Sequence, residues 1–225
     1  MNVIVFASRK GGTGKSTLAA HLAAHVHKTS RPALLIDADP QGSLTLWHRL
    51  RETGEPPLKN GLRGLGAILR NAEREDVEWV FVDTPPLMTP AVIDMIKAAT
   101  LVVIPARPSV FDLNAIKETF EATRRARRPF AVVLNAAPPK RLDAESPMTT
   151  TARESLINLG APVWSGQITH RATFSLALAE GEGAKEYDAD SYAAAEISRL
   201  WSAIEKSIKA IHGAYDGYAM HKKAA

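Results

Sequence analysis

Ten consecutive residues, Ser8-Arg9-Lys10-Gly11-Gly12-Thr13-Gly14-Lys15-Ser16-Thr17, collect the groups needed to hold a polyphosphate. Gly11, Gly12 and Gly14 let the backbone curl so that successive N–H groups converge on an anion. A helix starting at the end of the loop adds its partial positive charge. Lys15 can reach the β- and γ-phosphates, and the Ser16 hydroxyl can ligate Mg²⁺. One feature departs from the ordinary phosphate loop. Position 9, where that pattern has glycine, is Arg9, and an extra lysine, Lys10, sits inside the loop. Carboxylates recur in Asp37-Ala38-Asp39-Pro40-Gln41-Gly42 and in Asp83-Thr84-Pro85-Pro86, each after a short apolar run. A buried strand that ends in Asp83 aims a carboxylate at the metal on Ser16. Asn135 ends a further apolar run, and its side chain can pair both ways with an adenine edge.

The elements that must position these groups follow from the apolar runs. Residues 3–7, 32–36, 79–82, 101–105 and 130–135 are short, β-branched and unbroken, as strands buried on both faces should be. Helices are predicted from 18 onward, from 44 to 50, and over about 62–75, 109–128 and 147–159. A short strand is expected at 161–164, then two helices. Residues 51–64, with Gly54, Pro56, Pro57, Gly61 and Gly64, read as a surface connection. The last helix, about 189–212, places Ile197, Leu200, Trp201, Ile204, Ile208 and Ile211 on one core-facing stripe. Four βα units with a phosphate loop on the first imply an α/β fold, a three-layer α/β/α sandwich around a mainly parallel sheet. One domain over residues 1–212 and a flexible tail over 213–225 are expected.

Composition narrows the chemistry. The 225 residues are 45% hydrophobic and 23% charged, ordinary for a globular domain. No cysteine is present, which excludes disulfides and thiolate metal sites. The formal charge of +4 and pI near 9.4 permit attraction to nucleic acid or anionic lipid without establishing either. No run reaches the roughly 18 apolar residues that a spanning helix needs.

The string Lys-Gly-Gly-Thr-Gly-Lys-Ser-Thr resembles the deviant phosphate loop of the ParA/MinD family of ATPases, and Asp-x-Asp-Pro-Gln-Gly and Asp-Thr-Pro-Pro match that family's later motifs. The resemblance covers nearly the whole chain and implies a P-loop NTPase fold with ATP and Mg²⁺ as cofactors. It assigns nucleotide binding to Lys10, Gly11, Gly12, Thr13, Gly14, Lys15, Ser16, Thr17 and Asn135. Ser16, Asp37 and Asp83 become the Mg²⁺ side, partly through water. Lys10, Lys15 and Asp39 become catalytic, with Asp39 positioning the attacking water and Lys10 crossing to a partner's nucleotide. The 105–113 segment resembles the family stretch that senses the nucleotide and lines the dimer face, and 168–174 with Gly181 and Gly183 resembles its penultimate segment. Iron-carrying and cluster-assembly relatives bridge subunits through cysteines, so the absence of cysteine closes that branch.

What the resemblance implies for partners is a homodimer formed on ATP, nonspecific DNA, and a cargo-linked ParB-like activator. The chain looks like a short, single-domain member, cytoplasmic and nucleoid-associated in its ATP state. Arg171, Arg199, Lys206 and Lys209 lie where the family carries DNA contacts, and Arg124, Arg125, Arg127 and Arg128 form a rival patch. A MinD-like membrane cycle needs an amphipathic C-terminal helix rich in Lys and bulky apolar residues. The tail after His212, with two glycines, an aspartate and few large aliphatics, would make a poor one. The third alternative is a nucleotide-dependent scaffold with little turnover.

Overall fold

In the computed structural model the described residues are the backbone of 1–223 and the side chains of 1–109 and 116–214. Six strands form one sheet, β1 (Asn2–Phe6), β2 (Ala33–Asp37), β3 (Leu58–Asn60), β4 (Trp79–Asp83), β5 (Leu101–Ala106) and β6 (Phe130–Leu134). Their order is β3-β2-β4-β1-β5-β6, and every pairing is parallel. The sheet is thus wholly parallel where a mainly parallel one was expected.

Helices cover both faces because the strands other than β3 are apolar on both sides. One layer holds α1 (Lys15–Val26), α2 (Ser43–Leu50), α7 (Ala172–Ala179), α8 (Ala184–Tyr187) and α9 (Tyr192–Lys223). The other holds α3 (Leu65–Arg74), α4 (Pro90–Ala98), α5 (Val110–Arg125) and α6 (Pro147–Asn158). Ala19, Ala20 and Ala23 of α1 are buried, and these small side chains let the helix lie close against the sheet and its neighbours. Ile197, Leu200, Trp201, Ile204 and Ile208 of α9 are buried as their spacing predicts, and Trp201 meets Trp79 edge-on at 4.6 Å.

Several elements differ from the sequence reading, and α4 was not expected at all. Residues 51–64 contain β3, which borrows its register from β2 and is too short and polar to announce itself. The strand expected at 161–164 is a single bridge between Val132 and Val163. Three helices, not two, follow it, because α8 is one short turn-length element. The final helix continues past Gly213 to Lys223, with residues 224–225 of the expected tail outside those described.

The register places the chemistry. Phe6 pairs with Asp83, and Asp83 with Asp37, so the phosphate loop and both carboxylates leave adjacent strands at one level. The first crossover, β1 to β2, carries α1 on one face; the β4-to-β5 crossover carries α4 on the other and passes β1 the opposite way. Ligands of open parallel sheets bind at such a reversal, beyond the strand C-termini.

Candidate nucleotide-binding cleft

Beyond those strand ends lies a cleft of about 510 Å³, floored by Gly11, Gly12, Gly14, Lys15, Ser16 and Thr17. Gly12 and Gly14 have φ of 72° and 98°, in the region glycine favours. At Gly14 a Cβ would come within 2.0 Å of Asn135 Nδ2, so only glycine fits. Lys15 is buried and its Nζ curls back to 3.5 Å from the Lys10 carbonyl, which the Thr13 hydroxyl also approaches at 3.5 Å. Burial lowers its pKa from the usual lysine value, opposed by the charges of Asp83 and Asp39.

Asp83 is fully buried. Its Oδ2 accepts from the Ser16 hydroxyl at 2.5 Å, while its Oδ1 has no partner among the described residues. Burial pushes its pKa up to about 7; the Ser16 hydrogen bond and Lys15 oppose the shift, and Asp37 and Asp39 add to it. An orphaned carboxylate oxygen next to a serine hydroxyl and a phosphate loop is what a hard, oxygen-seeking cation would satisfy. Ser16 and Asp83 therefore fit Mg²⁺.

Asp37, expected on the Mg²⁺ side partly through water, is held differently from Asp83. Its Oδ2 accepts from the Thr45 N–H (2.8 Å) and hydroxyl (2.7 Å), and its Oδ1 from the Asp39 N–H (3.2 Å). Every oxygen is occupied in fastening the first turn of α2 to β2. Asp39, two residues on, is half-buried and lines the cleft, with Oδ1 accepting from the Gln41 N–H at 3.0 Å.

Asn135 reaches the cleft as expected, but its Nδ2 donates to the Thr13 carbonyl at 2.6 Å. It braces the phosphate loop, a contact its sequence position gave no sign of. Arg171 has a contact that its sequence position gave no sign of. Expected on DNA, it lines the cleft, and its guanidinium donates to buried Glu196 at 2.9 and 3.2 Å. Arg199, Lys206 and Lys209 are exposed on one stripe of α9. In the rival patch, Arg124 covers Phe120 and donates to the Gly160 carbonyl, and Arg125 faces Glu121. Lys10 is half-buried, next to Gly11 of the cleft floor. In the 105–113 segment Arg107 lines the cleft, and the side chains of 110–113 lie outside those described. Trp47, Phe174 and Leu178 form an apolar wall that the motifs did not point to; the only hint was their place on amphipathic helices flanking the loop.

Sheet order, phosphate loop and cleft together define a nucleotide-binding P-loop protein. Residues 4–184 match the CobQ/CobB/MinD/ParA nucleotide binding domain, and the chain belongs to that family. It is 29% identical over 208 residues to the maintenance of carboxysome distribution protein A of Halothiobacillus neapolitanus, covering 88% of this chain and 93% of that one. It is 32% identical over 184 residues to protein ParA of Rhizobium radiobacter, covering 78% and 81%. Among solved structures, the septum site-determining protein MinD of Pyrococcus horikoshii, complexed with Mg-ADP, superposes with a TM-score of 0.74 at 16% identity, covering 93% and 98%. That last likeness establishes the fold.

Proposed function

We propose that this chain is a ParA-type ATPase that dimerises on ATP, binds nonspecific DNA as the dimer, and positions a cargo such as a plasmid, a chromosome or a protein cluster. The observation that carries it is Asp39, the one carboxylate of the three that lines the cleft beside the phosphate loop's residues. Similarity over most of the chain to a carboxysome-distribution protein and to a ParA supports the positioning role.

Hydrolysing a γ-phosphoryl group requires that the phosphates be held, their charge neutralised and a water aligned. Lys15 and the loop N–H groups hold the phosphates. Ser16 and Asp83 would hold Mg²⁺, which would supply neutralisation of the phosphate charge. Asp39 aligns the water and takes its proton, a role worth about 10²–10⁴-fold. Lys10 of a second copy supplies the remaining positive charge, comparable to an arginine finger at about 10³–10⁵-fold. Turnover is therefore slow in the isolated chain and is raised by a cargo-linked, ParB-like activator. The exposed cations Arg199, Lys206 and Lys209 are the DNA contacts, and the ATP form resides on the nucleoid in the cytoplasm.

The test uses Asp39→Ala, which should hold ATP without hydrolysing it. With ATP and Mg²⁺ it should retard random-sequence DNA, with affinity falling steeply as salt rises. Binding to anionic liposomes instead of DNA would favour a membrane cycle. Binding to neither would leave a nucleotide-dependent scaffold, and the DNA-based reading would fall.

A further inference from the structure

The cleft has two ends. The sheet order sets Asp39, just past β2, and Asp83, at the end of β4, to one side of the phosphate loop, and β6 to the other. A nucleotide whose terminal phosphate points at the carboxylates must lay its nucleoside toward β6. There the 167–171 segment joins the sheet edge: the Ile168 N–H donates to Leu134, Ala137 bridges Thr169, and the Gln167 amide donates to the Pro138 carbonyl at 3.0 Å.

Arg171 stands in that corner and is held from behind. The Glu196 carboxylate is only 4% exposed and spends both oxygens on this segment. Its Oε2 takes the Thr169 N–H at 2.8 Å and its Oε1 takes Arg171 Nε and Nη2. The guanidinium also lies 5.0 Å from the Tyr192 ring centroid. A buried carboxylate that fixes a planar cation along a cleft wall is a costly arrangement for an arginine that merely faces solvent. A guanidinium so fixed can stack on a base or donate to a ribose oxygen.

Resting on the nucleotide-binding part of the proposed function alone, we propose that Arg171 is a ligand of the nucleoside end of the nucleotide, with Glu196 its positioning residue, and that Arg171 is not a DNA contact.

The experiment compares two probes, ADP and inorganic tripolyphosphate, by calorimetry on the full chain. Arg171→Ala should raise the Kd for ADP about tenfold while leaving that for tripolyphosphate within about twofold. Glu196→Gln keeps the volume but gives up one acceptor, and should raise the ADP Kd severalfold with tripolyphosphate again unmoved. Arg171→Lys keeps the charge without the planar fork and should recover only part of the loss. A general folding defect would weaken both probes together, and that result, or an unchanged ADP Kd, overturns the proposal. In the DNA assay at saturating ATP, Arg171→Ala should leave the salt slope unchanged. A slope smaller by about one would return Arg171 to the DNA face and also overturn it. If the wild-type chain binds no DNA, the DNA reading fails while the ADP comparison still decides Arg171.

Discussion

Asp37 and Asp83 end adjacent strands at the same register and are both buried, at 2% and 0% exposure, yet the protein uses them differently. Asp37 meets three donors, all from its own connection to α2. Asp83 meets one, keeps an oxygen with no partner among the described residues, and has a pKa near 7. Position at a strand end brings a carboxylate to the cleft. What separates a cap from a metal ligand is whether the local chain has already satisfied it.

Of the changes that separate these two carboxylates, the largest effect should come from Asp83→Asn. Loss of Mg²⁺ charge stabilisation, worth several kcal/mol, should cut ATP hydrolysis by about 10²-fold or more. The same change should raise the melting temperature of the nucleotide-free protein at pH 7, because a buried, half-satisfied charge is removed. A melting temperature that falls would mean Asp83 is satisfied in some other way. Asp37→Ala should do the reverse. It strips the first turn of α2 of its acceptor and should cost about 1–3 kcal/mol in denaturant unfolding, with the Mg²⁺ concentration for half-maximal activity unmoved. A strong shift in that concentration would restore Asp37 to the metal.

Smaller, and set by sign, is the response to pH. The folded pKa of Asp83 lies above its ordinary 3.8, so between about 4 and 7 the folded chain binds more protons than the unfolded one. Its contribution to stability is full below that window and is lost as pH rises through about 7. Urea titrations should show this loss in wild type and not in Asp83→Asn. Because a proton competes with the cation, Mg²⁺-dependent nucleotide binding should weaken as pH falls below about 7.

The phosphate loop, the Asp83 strand and the α9 stripe were legible because each is a local pattern: glycines at fixed offsets, an apolar run before a carboxylate, apolar residues at helical spacing. The structural role of Asp37 was not legible because its partner, Thr45, lies eight residues on, at a helix start whose acceptor comes from another element. The Arg171 contact was hidden for a similar reason at longer range, since Glu196 is 25 residues away and only the packing of α9 brings it near. The role of Asn135 was half legible. Its place at the end of β6 pointed to the cleft, but the contact with Thr13, 122 residues distant, depends on the strand order.

The proposed dimer makes one demand that a self-contained active site does not: each site needs Asp39 from one chain and Lys10 from the other. Lys10→Ala and Asp39→Ala should each abolish ATP hydrolysis alone. Mixed in equal amounts with ATP and Mg²⁺, they should recover about a quarter of wild-type activity, because half the dimers are mixed and each carries one intact site. A mixture as inactive as its two components would place Lys10 in its own chain's site and contradict the shared one.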